Sequence, residues 1–263
     1  MADILQNYPA FLLVLARISA FFITLPLFSY RNIPASHKAG FAFFLSWIVF
    51  ISIDVPAVNI NGSYFMLVLK EVLAGLLIGL MAYIILSAIQ IAGGFIDFQM
   101  GFAIANVIDP QTGVQSPLIG QFLYTFAFLL MLSLNAHHLL LDGVFYSFQF
   151  IPLDQPFLPL GNENVIHFAV TSFNKMFVIA FQMSIPVVGS LFLVDIALGI
   201  VARTVPQLNI FVVGIPLKIA VSFIMLILVM AALFMLMQQL FETMLYTMRA
   251  LMELLGGADN GPT

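Results

Sequence analysis

GGFIDFQMGFAIANVIDPQTGVQSP, residues 93–117, is polar and rich in Gly and Pro inside an otherwise apolar chain. It follows one long apolar run, Val72 to Ala92, precedes another, Leu118 to Leu134, and holds no Lys or Arg. Gly93, Gly94, Gly101 and Gly113 permit backbone turns that other residues resist. Pro110 and Pro117 remove backbone donors and discourage helix just before themselves. Between these breakers Phe95, Phe98, Phe102 and Ala105 recur at helical spacing, which predicts a short helix leading into a turn around Asp109, Pro110 and Gly113. Such a stretch is either an interfacial connector or a re-entrant, pore-lining loop. Irregular backbone at membrane depth survives only where protein or a water-filled cavity surrounds it.

Working outward, 62% of the 263 residues are hydrophobic and 8% are charged, against roughly 25% charged in a soluble domain. This is the composition of an integral membrane protein. The start, MADILQN, has no basic region before its apolar run, so it does not read as a cleaved signal, and the first apolar segment is expected to remain. Without Cys there is neither a disulfide framework nor a thiolate metal site. The net charge of -4 is spread over the loops with no basic stripe, which speaks against nucleic acid as a partner. No repeat of solenoid period is present.

With about 20 apolar residues per crossing, six hydrophobic segments stand out: roughly 8–28, 39–53, 64–92, 118–141, 165–194 and 210–237. They are far longer than the roughly 10 residues of a barrel strand and lack strand alternation, so all are expected to be helical. After the sixth, Leu240, Phe241, Met244, Leu245, Met248, Leu251, Met252 and Leu255 form an apolar stripe. Gln239, Glu242, Thr243, Arg249 and Glu253 lie elsewhere. This predicts an amphipathic helix packed on the bundle or lying at the interface. The fold expected is an all-α integral membrane protein of about six kinked hydrophobic helices plus a C-terminal amphipathic helix, with a re-entrant plug-like loop. It forms a single domain over 1–255, with 256–263 read as a disordered tail. Pro186 and Pro216 predict kinks in the fifth and sixth segments.

Orientation is weakly encoded. Arg31, Lys38 and Arg203 place the odd-numbered loops in the cytoplasm, but Lys70 and Arg249 fall on the other side. Ionisable groups within apolar segments cost about 2.5 to 3.5 kcal/mol each on insertion and should face protein or water. Arg17, Lys70, Glu71, Lys175, Asp195 and Lys218 are of this kind, with Arg17, Lys70 and Glu71 read as buried charges. Lys70 and Glu71 are sequence neighbours and do not face each other on a helix, so their partners are expected on other helices or subunits. Arg17 and Lys218 are the candidates for Glu71. Structural pairing, subunit contact and a proton relay are all open to such groups. His138 and Asp142 can share a helix face, but no third metal ligand is evident. A polar helix end is the preferred reading of His137 and His138. The next loop, from Asp142 to Asn164, carries acids and no bases, which suits the non-cytoplasmic side.

Arg203 to Lys218, RTVPQLNIFVVGIPLK, joins a cation, a Pro break, two amides and a second Pro-containing helix start. Arg203, Pro206, Gln207, Asn209 and Lys218 are candidate assembly contacts. This segment closely resembles the hallmark of the FliR family of flagellar biosynthesis proteins, to which the T component of virulence type III secretion export gates also belongs. LFSYRNIP at 27–34, KEVLAGLLIGL at 70–80, GGFIDFQMGFAIANVIDPQTG at 93–113 and NAHHLLLDG at 135–143 agree in order and spacing.

The resemblance covers nearly the whole chain and implies a single-copy core subunit of the flagellar protein-export gate. Its expected place is the cytoplasmic membrane, at the basal body. Implied partners are the smaller FliP-like and FliQ-like membrane subunits, a FlhB-like switch protein, unfolded export substrates and membrane lipid. No cofactor or catalytic chemistry is implied. The family's gate sits largely above the bilayer plane, which would account for the uneven segments and ambiguous charges. It is closed partly by a loop of this subunit. The matching residues here are Asn106, Val107, Ile108, Asp109, Pro110, Gln111, Thr112, Gly113, Val114, Gln115 and Ser116, with Gly101 and Gly113 as hinges. A virulence gate subunit, a secondary transporter or proton channel, and an intramembrane enzyme are the alternative readings. The transporter would need a solute site and usually an internal repeat, neither of which is found.

Overall fold

The computed structural model describes residues 7–25, 28, 34–53, 58, 60–102, 117–207 and 209–257. Seven helices occur among them: α1 (Tyr8–Thr24), α2 (Ala35–Ser52), α3 (Tyr64–Met100), α4 (Leu118–Ser133), α5 (Ala136–Phe150), α6 (Glu163–Thr204) and α7 (Ile210–Leu255). The all-α membrane architecture follows from the composition. Four of these helices (α2, α3, α6 and α7) are long and apolar enough to cross a bilayer, or five spans arise if the bent pair α4 and α5 counts as one.

The element boundaries differ from the sequence expectation in three places. First, no separate short helix begins at Gly93; α3 runs 37 residues through both glycines and ends at Met100. The helix accepts the entropic cost of Gly93 because another backbone must approach there, and the turn falls later, at Gly101 with φ +90°. Second, the segment at 118–141 is two helices bent by 75°. Asn135, with φ 56°, occupies the left-handed region that Asn tolerates better than most residues. Residues 142–150, a loop by the sequence expectation, are the rest of α5. Third, the amphipathic stripe is no separate helix but the last part of α7, which spans 46 residues. Neither Pro186 nor Pro216 ends its helix.

The chain divides into two compact units, Met1–Leu86 with Asn135–Phe173 and Glu242–Thr263, and Ser87–Leu134 with Asn174–Phe241. In the first, α1 lies in the core: Ala10, Leu13, Val14, Ile18 and Phe21 have no exposed surface. Phe11 meets Phe43, Trp47 and Phe50 of α2 edge to face, with centroids 5.6 to 5.7 Å apart. Against α3 the approach is closer. Gly75 and Gly79, one helical turn apart, face α1 so tightly that a Cβ at Gly75 would strike the Arg17 carbonyl, and one at Gly79 would strike Thr24. Paired small residues of this kind let helices pack backbone to backbone. The end of α7 buries Met244, Met248, Leu251, Met252 and Leu255 in this unit.

In the second unit, Ala88, Ile89, Ala92, Ile96 and Met100 of α3 are fully buried. A Cβ at Gly93 would collide with the backbone of Gly120 on α4. Phe95 packs edge to face on Phe177, and Phe126 lies 6.2 Å from Phe234. Much of α6 and α7 stays uncovered, as does α2 in the first unit, whereas most of the apolar part of α3 is buried. Phe177, Phe181, Phe192, Phe211, Ile227 and Leu228 are all at least half exposed, so these faces require lipid or partner helices.

Candidate functional site

Three groups of polar residues stand out against this apolar background. The first lies in the first unit. Arg17 and Glu71 have no exposed surface and Lys70 is 3% exposed. The Arg17 Nε donates to Glu71 Oε2 at 2.5 Å, and Lys70 Nζ donates to Glu71 Oε1 at the same distance. Glu71 therefore pairs with Arg17, not Lys218. It also pairs with Lys70, against the expectation for sequence neighbours. Cβ directions separate adjacent helical residues, but the long Lys and Glu side chains curl back to a common point.

Two cations to one carboxylate leaves an excess positive charge, and the end of α5 absorbs it. Arg17 Nη1 donates to the Ser147 carbonyl (2.9 Å), Nη2 to the Ile151 carbonyl (2.8 Å), and Lys70 Nζ to the Pro152 carbonyl (2.6 Å). The Ser147 and Ile151 carbonyls lie at the negative end of that helix, and Pro152 follows its cap. The Arg17 guanidinium carbon also sits 4.2 Å from the centre of the Phe148 ring. Every nitrogen of the two cations has an acceptor, so the cluster joins α1, α3 and α5.

The second group is in the other unit, around the end of α3. Asp195 Oδ1 takes Lys218 Nζ at 2.5 Å, and its Oδ2 takes Gln99 Nε2 at 2.8 Å. Lys218 Nζ reaches the Gln99 carbonyl at 3.4 Å. The side chains of Lys218 and Asp195 are 19% and 37% exposed, so this bridge among α3, α6 and α7 is reachable by solvent. Nearby, Asp97 is 4% exposed and accepts the backbone N–H of Ile119 and Gly120 at 3.0 and 3.5 Å. Sequence reading missed Asp97. Its signal was present: an acid in an apolar helix, before a helix whose N-cap, Pro117, has no side-chain donor or acceptor.

The third group is the turn between α6 and α7. Arg203, Pro206, Gln207 and Asn209 are all exposed. Asn209 caps α7, its Oδ1 accepting the Phe211 N–H at 3.2 Å. The structure thus separates Lys218, which is paired within the unit, from the other four candidate assembly residues. Gly101 lies in a turn with positive φ. Residues 106–116, the candidate plug with the hinge Gly113, lie outside the described residues, as do Arg31 and the tail from 258. The rings of His137 and His138 lie 4.2 Å apart, tilted by 37°, at the start of α5. Among the described residues no cluster of three or more His, Asp or Glu could hold a metal ion.

Comparison with known proteins covers all three groups. Residues 8–244 match the family model described as bacterial export proteins, family 1. The chain is 63% identical to "Flagellar biosynthetic protein FliR" of Bacillus subtilis (strain 168), over 97% of this chain and 99% of that protein. It is 28% identical to the protein of the same name in Escherichia coli (strain K12), over 79% of each. "Yop proteins translocation protein T" of Yersinia pestis is 29% identical, over 86% of this chain and 88% of that protein. The match thus takes in Arg17, Glu71, Asp97, Asp195 and the 203–218 segment in a single alignment, and the chain belongs to the bacterial export proteins, family 1, in its FliR branch.

Proposed function

We propose that this chain is a core subunit of the flagellar protein-export gate, forming part of the conduit through which unfolded flagellar proteins leave the bacterial cytoplasm. The observation that carries the reading is the 63% identity over 97% of the chain to a flagellar biosynthetic protein, where the virulence translocation protein reaches 29%. The uncovered faces of α6 and α7 support assembly. Asn174 and Gln182 are exposed among the apolar residues of α6, and amides at membrane depth call for protein neighbours rather than lipid alone. FliP-like and FliQ-like subunits and a FlhB-like switch protein are the partners this reading assigns, in the cytoplasmic membrane at the basal body. The subunit conducts and seals; the work of transport belongs to other parts of the apparatus.

A conduit wide enough for an unfolded chain must be closed between substrates, or it dissipates the proton gradient. Residues 106–116 are assigned that role on their sequence: Val107, Ile108 and Val114 for a dry seal, Pro110 for the turn, and no cation needing a partner in each state. Two experiments test the reading. Deleting the gene should abolish swimming and export of flagellar proteins while leaving any virulence secretion intact; the converse pattern would move the chain to a virulence gate. Deleting Val107 to Gln115 in cells with the assembled gate should raise membrane conductance to small ions without substrate. Unchanged conductance would remove the plug assignment and leave a connector.

A further inference from the structure

The connection between α3 and α4 is anchored on both sides by groups that touch each other. Asp97 lies in the last turn of α3, which ends at Met100. An acid there faces the negative end of its own helix dipole and is unfavourable to it. Its compensation comes from α4. The carboxylate takes the Ile119 N–H on both oxygens, at 3.0 and 3.3 Å, and the Gly120 N–H at 3.5 Å. These are among the first-turn amides that a helix cannot satisfy internally. The local N-cap, Pro117, makes no side-chain cap. Thus α4 is capped by a carboxylate 22 residues earlier in the chain. Four residues before Asp97, on the same face of α3, Gly93 admits the backbone of Gly120 into direct contact.

We infer that Asp97 is a positioning residue that ties the point where the chain leaves α3 to the point where it enters α4, so that whatever lies between residues 102 and 117 starts and ends at one fixed base. Its importance for export rests on the export-gate reading above; the tie itself stands on geometry. Gly93 supplies the close approach and Asp97 supplies the lock. The turn at Gly101, φ +90°, is the first departure from helix beyond that lock.

The chain has no Cys, which makes the tie measurable. Ile119 is 2% exposed, and a thiol at Ile119→Cys is shielded while the junction holds. In membranes containing the assembled gate, Asp97→Ala should raise the maleimide-labelling rate of that thiol about five- to tenfold, the size expected for loss of a helix cap. Export should fall at unchanged protein level. Asp97→Asn keeps an oxygen acceptor and should stay within about twofold of the parent in both measurements. A Cβ at Gly94 would stand 3.5 Å from the Pro117 side chain, so oxidising a Gly94→Cys, Pro117→Cys pair should restore export to Asp97→Ala. Unchanged labelling in Asp97→Ala overturns the tie; raised labelling with parental export overturns the positioning role. Failure of the export-gate reading would show separately, as a parent chain that cannot restore export to the deletion strain.

Discussion

The two units treat charge in opposite ways. In the first, Arg17, Lys70 and Glu71 are buried, and each nitrogen of the two cations has an acceptor. In the second, Lys218 and Asp195 bridge three helices while remaining 19% and 37% exposed. Apolar burial does not divide in this way: α1 is the core of the first unit, but α2 beside it leaves Phe44, Ile48 and Ile51 exposed, as α6 and α7 leave theirs in the second. The charges of the first unit are settled within one chain, those of the second stay open to solvent, and both units leave apolar faces to be covered. A sealed charge cluster cannot be rearranged without great cost, so it fixes helices permanently. A partly exposed one can exchange partners as neighbours assemble or substrates pass.

The largest effect should come from stranding the sealed cluster. Glu71→Leu leaves two buried cations with no carboxylate, and breaking a buried pair in this way costs about 3 to 5 kcal/mol. Little folded protein should be recovered in detergent. Adding Lys70→Met removes one stranded cation and should recover part of the loss, measured as yield and thermal midpoint of the purified chain. Arg17→Lys should fail nearly as badly as Glu71→Leu, because an ammonium cannot span Glu71, Ser147 and Ile151 as the guanidinium fork does.

Next come the glycine contacts, present in both units. Gly75→Val and Gly93→Val each place a Cβ against backbone, where no side chain can swing away. Each should cost about 1 to 3 kcal/mol or more. The readouts separate the units: Gly75→Val should lower the stability of the isolated chain, whereas Gly93→Val should also loosen the α3–α4 junction and expose an Ile119→Cys thiol. Equal labelling in the two variants would mean that Gly93 has no local role.

Lys218→Met should be milder. The partial exposure of both partners in its ion pair brings the expected cost to about 1 kcal/mol or less, and Gln99 still holds Asp195. High salt should mimic it weakly in this unit and leave the first unit unaffected, since sealed charges are screened far less. A loss as large as that of Glu71→Leu would erase the contrast between the units.

Helix type and membrane class were legible because apolar runs of this length have one physical solution. What sequence periodicity could not convey was the work done by neighbours. Gly93 and Gly94 read as breakers, yet α3 continues through them since Gly120 must come close. The run at 118–141 read as one span because Ser133 to Ala136 is not polar enough to interrupt a hydropathy profile; only the positive φ of Asn135 reveals the corner. Lys70 and Glu71 were kept apart by Cβ directions, which govern short side chains better than long ones. Asp97 went unnoticed among the phenylalanines because its partners are backbone amides, which every residue carries alike.

The smallest effect on the folded chain, and the sharpest test of the unit comparison, belongs to Arg203. It is exposed at the end of α6, before the exposed turn of Pro206 and Gln207. An exposed side chain of this kind contributes within about 0.5 kcal/mol to stability, so Arg203→Ala should insert, purify and melt like the parent. A cation beside bare apolar faces is nevertheless placed to contact whatever covers them. In the complete gate, Arg203→Ala should therefore reduce the fraction of chain that co-purifies with the other membrane subunits, and export should fall in proportion. Arg203→Lys should recover part of both if charge alone is read, and little if a guanidinium fork grips a carboxylate or a row of carbonyls. Normal complex yield with normal export in Arg203→Ala would place the assembly surface elsewhere, on the apolar faces of α6 and α7 themselves. Phe181 and Phe211, each at least half exposed, would then be the residues to change.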